Sequence, residues 1–247
     1  MSPRSRSFDL PELFLGLLSL AVAGVLIAHS LGSTVRDVRH TRDKLQVTGS
    51  AKIPISADLV RWTLRVTAEA PTAPPAVRRL RRDGAAVRTF LQRGGVPAGA
   101  ISPSVVTSQN IVERLSKTRS RTYYRATQQL EVSTREIDAV EPVTTRIGQL
   151  IERGIGVSAE PLEYYSTELT QAKLDVLEAA TKDARNRAEI LVKGLGGKLG
   201  GMRASSLGVY QIVPRDSTEV SDYGISDTSS REKDVTAVVS ATFAVKR

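Results

Sequence analysis

The chain has no cysteine, and its only two histidines, His29 and His40, lie before residue 41. Thiol nucleophiles, Cys-ligated zinc, iron–sulfur clusters and disulfide frameworks are excluded together, so the core must hold by packing. From Thr41 onward the commonest general base and the commonest metal ligand are both missing, which disfavours most enzyme classes. Aromatics are few: 4 Phe, 1 Trp and 6 Tyr among 247 residues. The hydrophobic share of 40% and mean hydropathy of −0.15 nevertheless sit in the ordinary globular range, against a collagen-like, wholly disordered or polytopic membrane protein. The length makes one large domain or two small ones.

Charge is in excess on one side, with 35 Lys and Arg against 26 Asp and Glu, a net +9. Residues 1–44 hold six basic and four acidic side chains, so about +7 belongs to the remainder. That balance favours encounter with anionic surfaces and says nothing of fold.

From Leu13 to Val35 no residue is charged, and LFLGLLSLAVAGVLIAHSLG within that run is apolar on all sides. About 20 such residues make roughly 30 Å of helix, enough to cross a bilayer. A cleaved signal peptide is the rival reading, with Arg4 and Arg6 as its basic region and Ala21-Val22-Ala23 as its site. Cleavage there would leave GVLIAHSLG on the mature chain, so an uncleaved anchor at 13–35 is preferred, flanked by 1–12 and a polar linker 36–44. His29 reads as an interfacial residue. Loop counting, with Arg36, Arg39, Arg42 and Lys44 after the span, favours the C-terminal side inside, although long domains override this count.

Beyond the linker, a strand-like LQVTGSAKI precedes a second strand. In it Val60, Trp62, Leu64, Val66 and Ala68 alternate with Arg61, Thr63, Arg65, Thr67 and Glu69. AVRRLRRDGAAVRTFLQRGG predicts an amphipathic helix with Val77, Leu80, Val87 and Leu91 on one stripe and Gly94-Gly95 as its stop. A hairpin is expected over Val105 to Arg114 and Thr122 to Thr134, with Tyr124, Ala126, Leu130 and Val132 sharing a face. One helix is expected from Ile137 to Arg153, with Ile137, Val140, Ile147 and Ile151 aligned and Pro142 in its first turn or restarting it. The clearest helix runs from Thr170 to Leu195. Leu174, Leu177, Thr181, Ala184, Ala188, Leu191 and Leu195 form its stripe, and Glu178/Lys182, Asp183/Arg187 and Arg185/Glu189 pair on its flanks. Strands near Ser205 to Val213 and Val235 to Val245 follow, and the segment 214–234 between them reads as a mobile loop or interaction arm. Strand–helix–hairpin occurs twice, at about 57–134 and 155–247. The expectation is an α+β fold of duplicated βαββ-type units with antiparallel sheets and packed helices, preceded by one transmembrane helix.

Few motifs suggest chemistry. In GLGGKLGG, Lys198 is followed by Leu199 and the glycines follow a helix, so it reads as a helix C-cap and turn, not a phosphate loop. Arg78, Arg79, Arg81, Arg82, Arg88 and Arg93 have only Asp83 among them and spread round the predicted helix. They suit a solvated or subunit-contacting face, or contact with an anionic lipid or wall polymer. With no interleaved aromatics for stacking bases, nucleic acid is not expected. Tyr123/Tyr124 and Tyr164/Tyr165 should each put one ring inward and one outward. The pairs Glu160/Glu163 and Glu219/Asp222 fall in turn-like segments without an environment suited to acid–base work. No catalytic, metal-ligating or cofactor-binding residue is assigned, and no cofactor is expected.

Three segments together resemble the SIMPL-domain family of bacterial envelope proteins: VTGSAKIPISADLVRWTLRV, YYRATQQLEVSTREID and AATKDARNRAEILVKGLGGKLGGM. The last is similar to the family's D-A-R-x-[KR]-A-E-x-L-x-x-x-L-G-x-x-L-G segment at Asp183, Ala184, Arg185, Arg187, Ala188, Glu189, Leu195, Gly196, Leu199 and Gly200. The likeness covers 45–247. It departs at Ser50, where Gly or Glu is usual, and at Ala57, where Pro commonly precedes the Asp. The resemblance implies a domain with no established catalytic activity, in the periplasm or outside, on the bacterial inner membrane when anchored. It also implies ring-like homo-oligomers in one subgroup and a loose link to stress tolerance. The reading is a non-enzymatic, membrane-anchored envelope protein that self-assembles; its alternative is an envelope binding module for an anionic lipid or wall polymer.

Overall fold

The computed structural model describes residues 44–116 and 118–246. The expected flank 1–12, the transmembrane helix 13–35 and the linker up to Lys44 lie outside the described residues. Among the described residues no helix is long and apolar enough to cross a membrane.

Strands β1 (Lys44–Ser56) and β2 (Leu59–Ala70) lead into α1 (Ala73–Arg93), β3 (Ile101–Pro103), β4 (Thr107–Arg114) and β5 (Ser120–Thr134). Then come α2 (Ile137–Thr144), α3 (Gly148–Glu152), β6 (Gly156–Ala159), β7 (Glu163–Tyr165) and the long α4 (Leu169–Gly194). β8 (Lys198–Leu207), β9 (Gln211–Pro214), β10 (Ile225–Ser226) and β11 (Glu232–Lys246) complete the described chain. The fold is α+β, with two sheets paired mainly antiparallel. The chain divides into a larger unit, Ser50–Asp183 with Leu207–Val239, and a smaller one whose described residues are 44–49, 184–206 and 240–246. β1, α4 and β11 contribute to both.

In the larger unit the first sheet has the order β3-β5-β2-β6, with β4 beside β5 and β7 beside β2. β2 and β5 pair without a slip from Val60 opposite Thr134 to Ala70 opposite Tyr124. Register is set by alternation, because a one-residue shift would turn every apolar side chain to water. Val60, Trp62, Leu64, Val66 and Ala68 are all buried, with Ala126, Leu130 and Val132 of β5 beside them. Leu80, Val87 and Leu91 of α1, Val140 and Val143 of α2, and Leu150 of α3 belong to the same core. Each such side chain contributes about 1.5–3 kcal/mol by leaving water. The Trp62 indole N–H donates to the Glu160 carbonyl at 2.9 Å, so its one polar group is satisfied.

The single helix expected at 137–153 is two. Pro142 has no amide to donate, and the Thr144 and Thr145 hydroxyls donate back to the carbonyls of Glu141 (2.7 Å) and Pro142 (3.1 Å). Beyond the break the helical phase changes, and Ile151 is exposed where the periodicity aligned it with the core.

The second sheet of the larger unit runs β1-β11-β9-β10, β10 lying parallel to β9. Ala172, Val176 and Ala180 of α4 pack on Ile212, Val235, Ala237 and Val239. In the smaller unit, Ala184 and Ala188 pack with Val47, Ala241 and Phe243, and β8 pairs with β11. The buried stripe of α4 is therefore Ala172, Val176, Ala180, Ala184, Ala188 and Val192, every fourth residue. The expected stripe was right at the two central alanines and wrong at Leu174, Leu191 and Leu195, which are exposed. Alanine and valine let a helix backbone approach a sheet more closely than leucine does, and packing, not side-chain size, selects the buried face.

GLGGKLGG ends α4: Gly196 has φ 74°, and the Gly197 amide donates to the Val192 carbonyl at 2.9 Å. β8 starts at once, earlier than the strand expected near Ser205. A Cβ on Gly200 would stand 2.9 Å from the Ala244 carbonyl oxygen, so glycine is what allows β8 to lie this close to β11. The segment 214–234, read as a loop, also carries structure. β10 pairs with β9, Asp227 accepts from the amides of Ser229 (2.9 Å) and Ser230 (3.2 Å), and β11 begins at Glu232.

Candidate functional site

Helix α1 has Pro74 and Pro75 in its first turn, where a missing amide costs nothing, and Ala76, Leu80, Val87 and Leu91 on its inner face. That inner face forces the arginines outward. Arg78, Arg79, Arg81, Arg82 and Arg93 are exposed and Arg88 is half-buried. They do not spread round the helix, as the sequence reading had it; all occupy the half turned from the sheet. The one acid, Asp83, is buried: one oxygen accepts from Arg82 at 3.0 Å and the other stands 3.6 Å from the Arg79 Nε.

The opposite face of the first sheet is also polar, and three of its arginines are paired with glutamates. Arg61 pairs with Glu131 at 3.0 Å, Arg125 with Glu69 at 2.8 Å and Arg65 with Glu160 at 3.7 Å. An open hollow of about 500 Å³ on this face is lined by Arg65, Glu69, Gln109, Arg125 and three threonines. It offers hydrogen bonds and holds no nucleophile beside a base. Glu160 is thus engaged by Arg65, and Glu163 accepts from the Tyr165 hydroxyl at 2.9 Å, so neither is poised as half of an acid–base pair.

The tyrosine pairs alternate as expected, with one addition. Tyr124 and Tyr164 pack on the core, while the outward rings are covered by cations: Arg61 lies 5.1 Å over Tyr165, and Arg121 and Arg125 lie 5.1 and 5.8 Å over Tyr123.

A polar seam joins the two sheets within the larger unit, and the sequence reading missed it. The Tyr164 hydroxyl donates to Glu141 at 2.8 Å, and Arg231 reaches Asp138 at 2.6 Å and Glu141 at 3.7 Å. Burial, with the Glu141 carboxylate beside it, pushes the Tyr164 hydroxyl up to about 12. The buried Lys233 donates to the carbonyls of Tyr164, at 2.8 Å, and Asp227, with the Asp227 carboxylate 3.8 Å away. Desolvation holds this ammonium below its ordinary 10.5 despite Asp227. Asp234, next in the strand, is buried and meets Lys52 at 3.1 Å and the Asp216 amide at 3.0 Å. Burial raises the Asp234 carboxyl, and the Asp216 amide and Lys52 more than offset it, so the net direction is downward. Two charged residues in succession on an apolar strand were the available signal: both are kept only because their partners come from loops and strands distant in sequence. With its amine held by two carbonyls, Lys233 acts as a tie between strands.

At the β1–β2 turn, Ala57 donates its amide to the Arg231 carbonyl at 2.8 Å, a bond that a proline there would lack. Asp58 next to it accepts from the Thr167 amide at 2.6 Å and from the Thr167 hydroxyl, and this hydroxyl is the main reason its carboxyl lies below the usual 3.8.

Among the described residues no three His, Cys, Asp or Glu side chains converge as a metal site. The features that stand out are an α+β domain with a polar seam between its sheets and, on α1, four arginines without an ion-pair partner among the described residues. The family model described as a protein of unknown function (DUF541) matches residues 45–243, and the chain belongs to this family, SIMPL. The resemblance seen in the three sequence segments is thereby shown. No curated protein matches the chain.

Proposed function

We propose that this chain is a non-enzymatic, membrane-anchored protein of the bacterial cell envelope that self-assembles into a closed homo-oligomer, with its C-terminal domain outside the cytoplasm and a role in stress tolerance. The observation that carries this reading is the ribbon of β4 and the start of β5. Among the described residues β4 pairs with β5 alone, from Thr107 opposite Thr127 to Arg114 opposite Ser120, and seven of its eight residues are exposed. Val105 is 81% exposed, Val112 66% and Leu115 59%. A two-stranded ribbon is marginal in water alone, and its exposed apolar side chains are best explained by a partner. A second copy offers a complement: the ribbon adds Arg114, Arg119 and Arg121 to its apolar residues, while the exposed loop with Val220 and Tyr223 adds Glu219 and Asp222. Ribbon to loop is a head-to-tail contact, which closes into a ring when the rotation permits. Tethering through 13–35 raises the effective concentration, so weak contacts suffice.

Light scattering on the full chain in detergent tests this. A many-subunit particle is expected, reduced by R119E/R121E and restored when E219R/D222R is combined with it. A monomer at every concentration and at low salt would defeat the reading. The arginine face of α1 favours a second reading, an envelope binding module for an anionic lipid or wall polymer.

A further inference from the structure

Helix α1 carries six arginines and one aspartate, and the aspartate is buried. Arg79 and Arg82 are spent on Asp83. Among the described residues, Arg78, Arg81, Arg88 and Arg93 have no ion-pair or hydrogen-bond partner, and the Arg88 Nε is buried without one. At 100° per residue these four fall within about 140° of arc and along roughly 22 Å of helix. On the far face of the same sheet Arg61, Arg65 and Arg125 each pair with a glutamate.

We propose that α1 lies along the phosphate headgroups of an anionic lipid bilayer, with Arg78, Arg81 and Arg93 as its principal contacts. This deepens the binding-module reading and is independent of self-assembly. The four arginines lie in a row along the outer side of one helix, which fits a plane of phosphates better than one small anion. Guanidinium groups meet phosphate oxygens in bidentate fashion, and a row of them near a bilayer is the polybasic arrangement that anionic leaflets attract. Nucleic acid would call for stacking aromatics, and the only aromatic on α1 is the half-buried Phe90. Bilayer lipid is favoured over wall polymer because the same chain carries the uncharged run 13–35, long enough to cross a bilayer.

The sole tryptophan, Trp62, sits in the core shared with α1 and serves as an energy-transfer donor to dansyl-labelled headgroups. The full chain is reconstituted into phosphatidylcholine vesicles with and without phosphatidylglycerol. Transfer is expected to rise with phosphatidylglycerol, to fall back as salt is raised, and to lose this dependence in R78E/R81E/R93E, whose affinity for the anionic surface drops by more than about tenfold. Equal transfer in both lipids, or insensitivity of the native chain to salt, overturns the proposal. So does a triple variant that keeps the lipid dependence while its particle shrinks in light scattering, which would assign the face to a second copy. Failure of self-assembly alone reads out as a small particle with lipid-dependent transfer intact.

Discussion

The Lys233 ammonium stands 2.8 Å from the carbonyl oxygen of Tyr164, tying β11 of one sheet to β7 of the other within the larger unit. Removing it leaves two carbonyls and the Asp227 carboxylate without their cation. Lys233→Ala should cost about 3 kcal/mol in urea unfolding followed by Trp62 fluorescence. The folded-state value of Lys233 is lowered, so between that value and 10.5 the unfolded chain binds more protons and native stability rises with pH. The advantage of the native chain over Lys233→Met should grow across that window; an advantage that shrinks there would contradict burial as the dominant influence.

Asp58 and Thr167 give the opposite dependence. The Asp58 carboxyl is lowered in the fold, so its contribution is fully present above 3.8 and is lost as pH falls through the folded value. Asp58→Asn should be less stable than the native chain at neutral pH, and the difference should close in acid. Thermal melts at neutral and strongly acid pH decide it.

Overpacking tests the alanine stripe of α4. Ala184→Leu or Ala188→Leu should cost about 1–3 kcal/mol, because neither site has room for three more carbons. Arg185→Ala removes only an exposed pair to Glu189 and should cost roughly 0–1 kcal/mol. Equal losses in melting temperature would place the buried face elsewhere.

For the anchor, the full chain should fractionate with membranes and a chain beginning at Thr41 should remain in the supernatant. A mature N-terminus found after Ala23 would replace the anchor with a cleaved signal.

What was legible in the sequence followed local periodicity. The alternation from Val60 to Ala68 predicted the buried face of β2, and the inner residues of α1 followed from helical spacing. The same logic misplaced Leu174, Leu191 and Leu195, because it took leucines for the buried side when close approach to the sheet favoured alanine. It also placed β8 late, because glycines argue against strand until a partner such as β11 is known. Lys233 and Asp234 were beyond such reading, since a charge is tolerated in a core only through partners, and theirs include Tyr164 and Lys52, brought to them by tertiary contacts. The arginines of α1 were found as a cluster, and their confinement to one side was already implied by the stripe of Leu80, Val87 and Leu91, although they were read as spread round the helix.

The unpaired arginines of α1 put an excess of positive charge on one side of the first sheet. Near an anionic plane such a body feels a torque as well as an attraction, so it turns before it touches. At 0.1 M salt the field reaches about 10 Å. Orientation would therefore be imposed over the last two or three water layers, and in dilute salt much earlier. The arginines would then act first on the angle of arrival and only afterwards on the strength of contact.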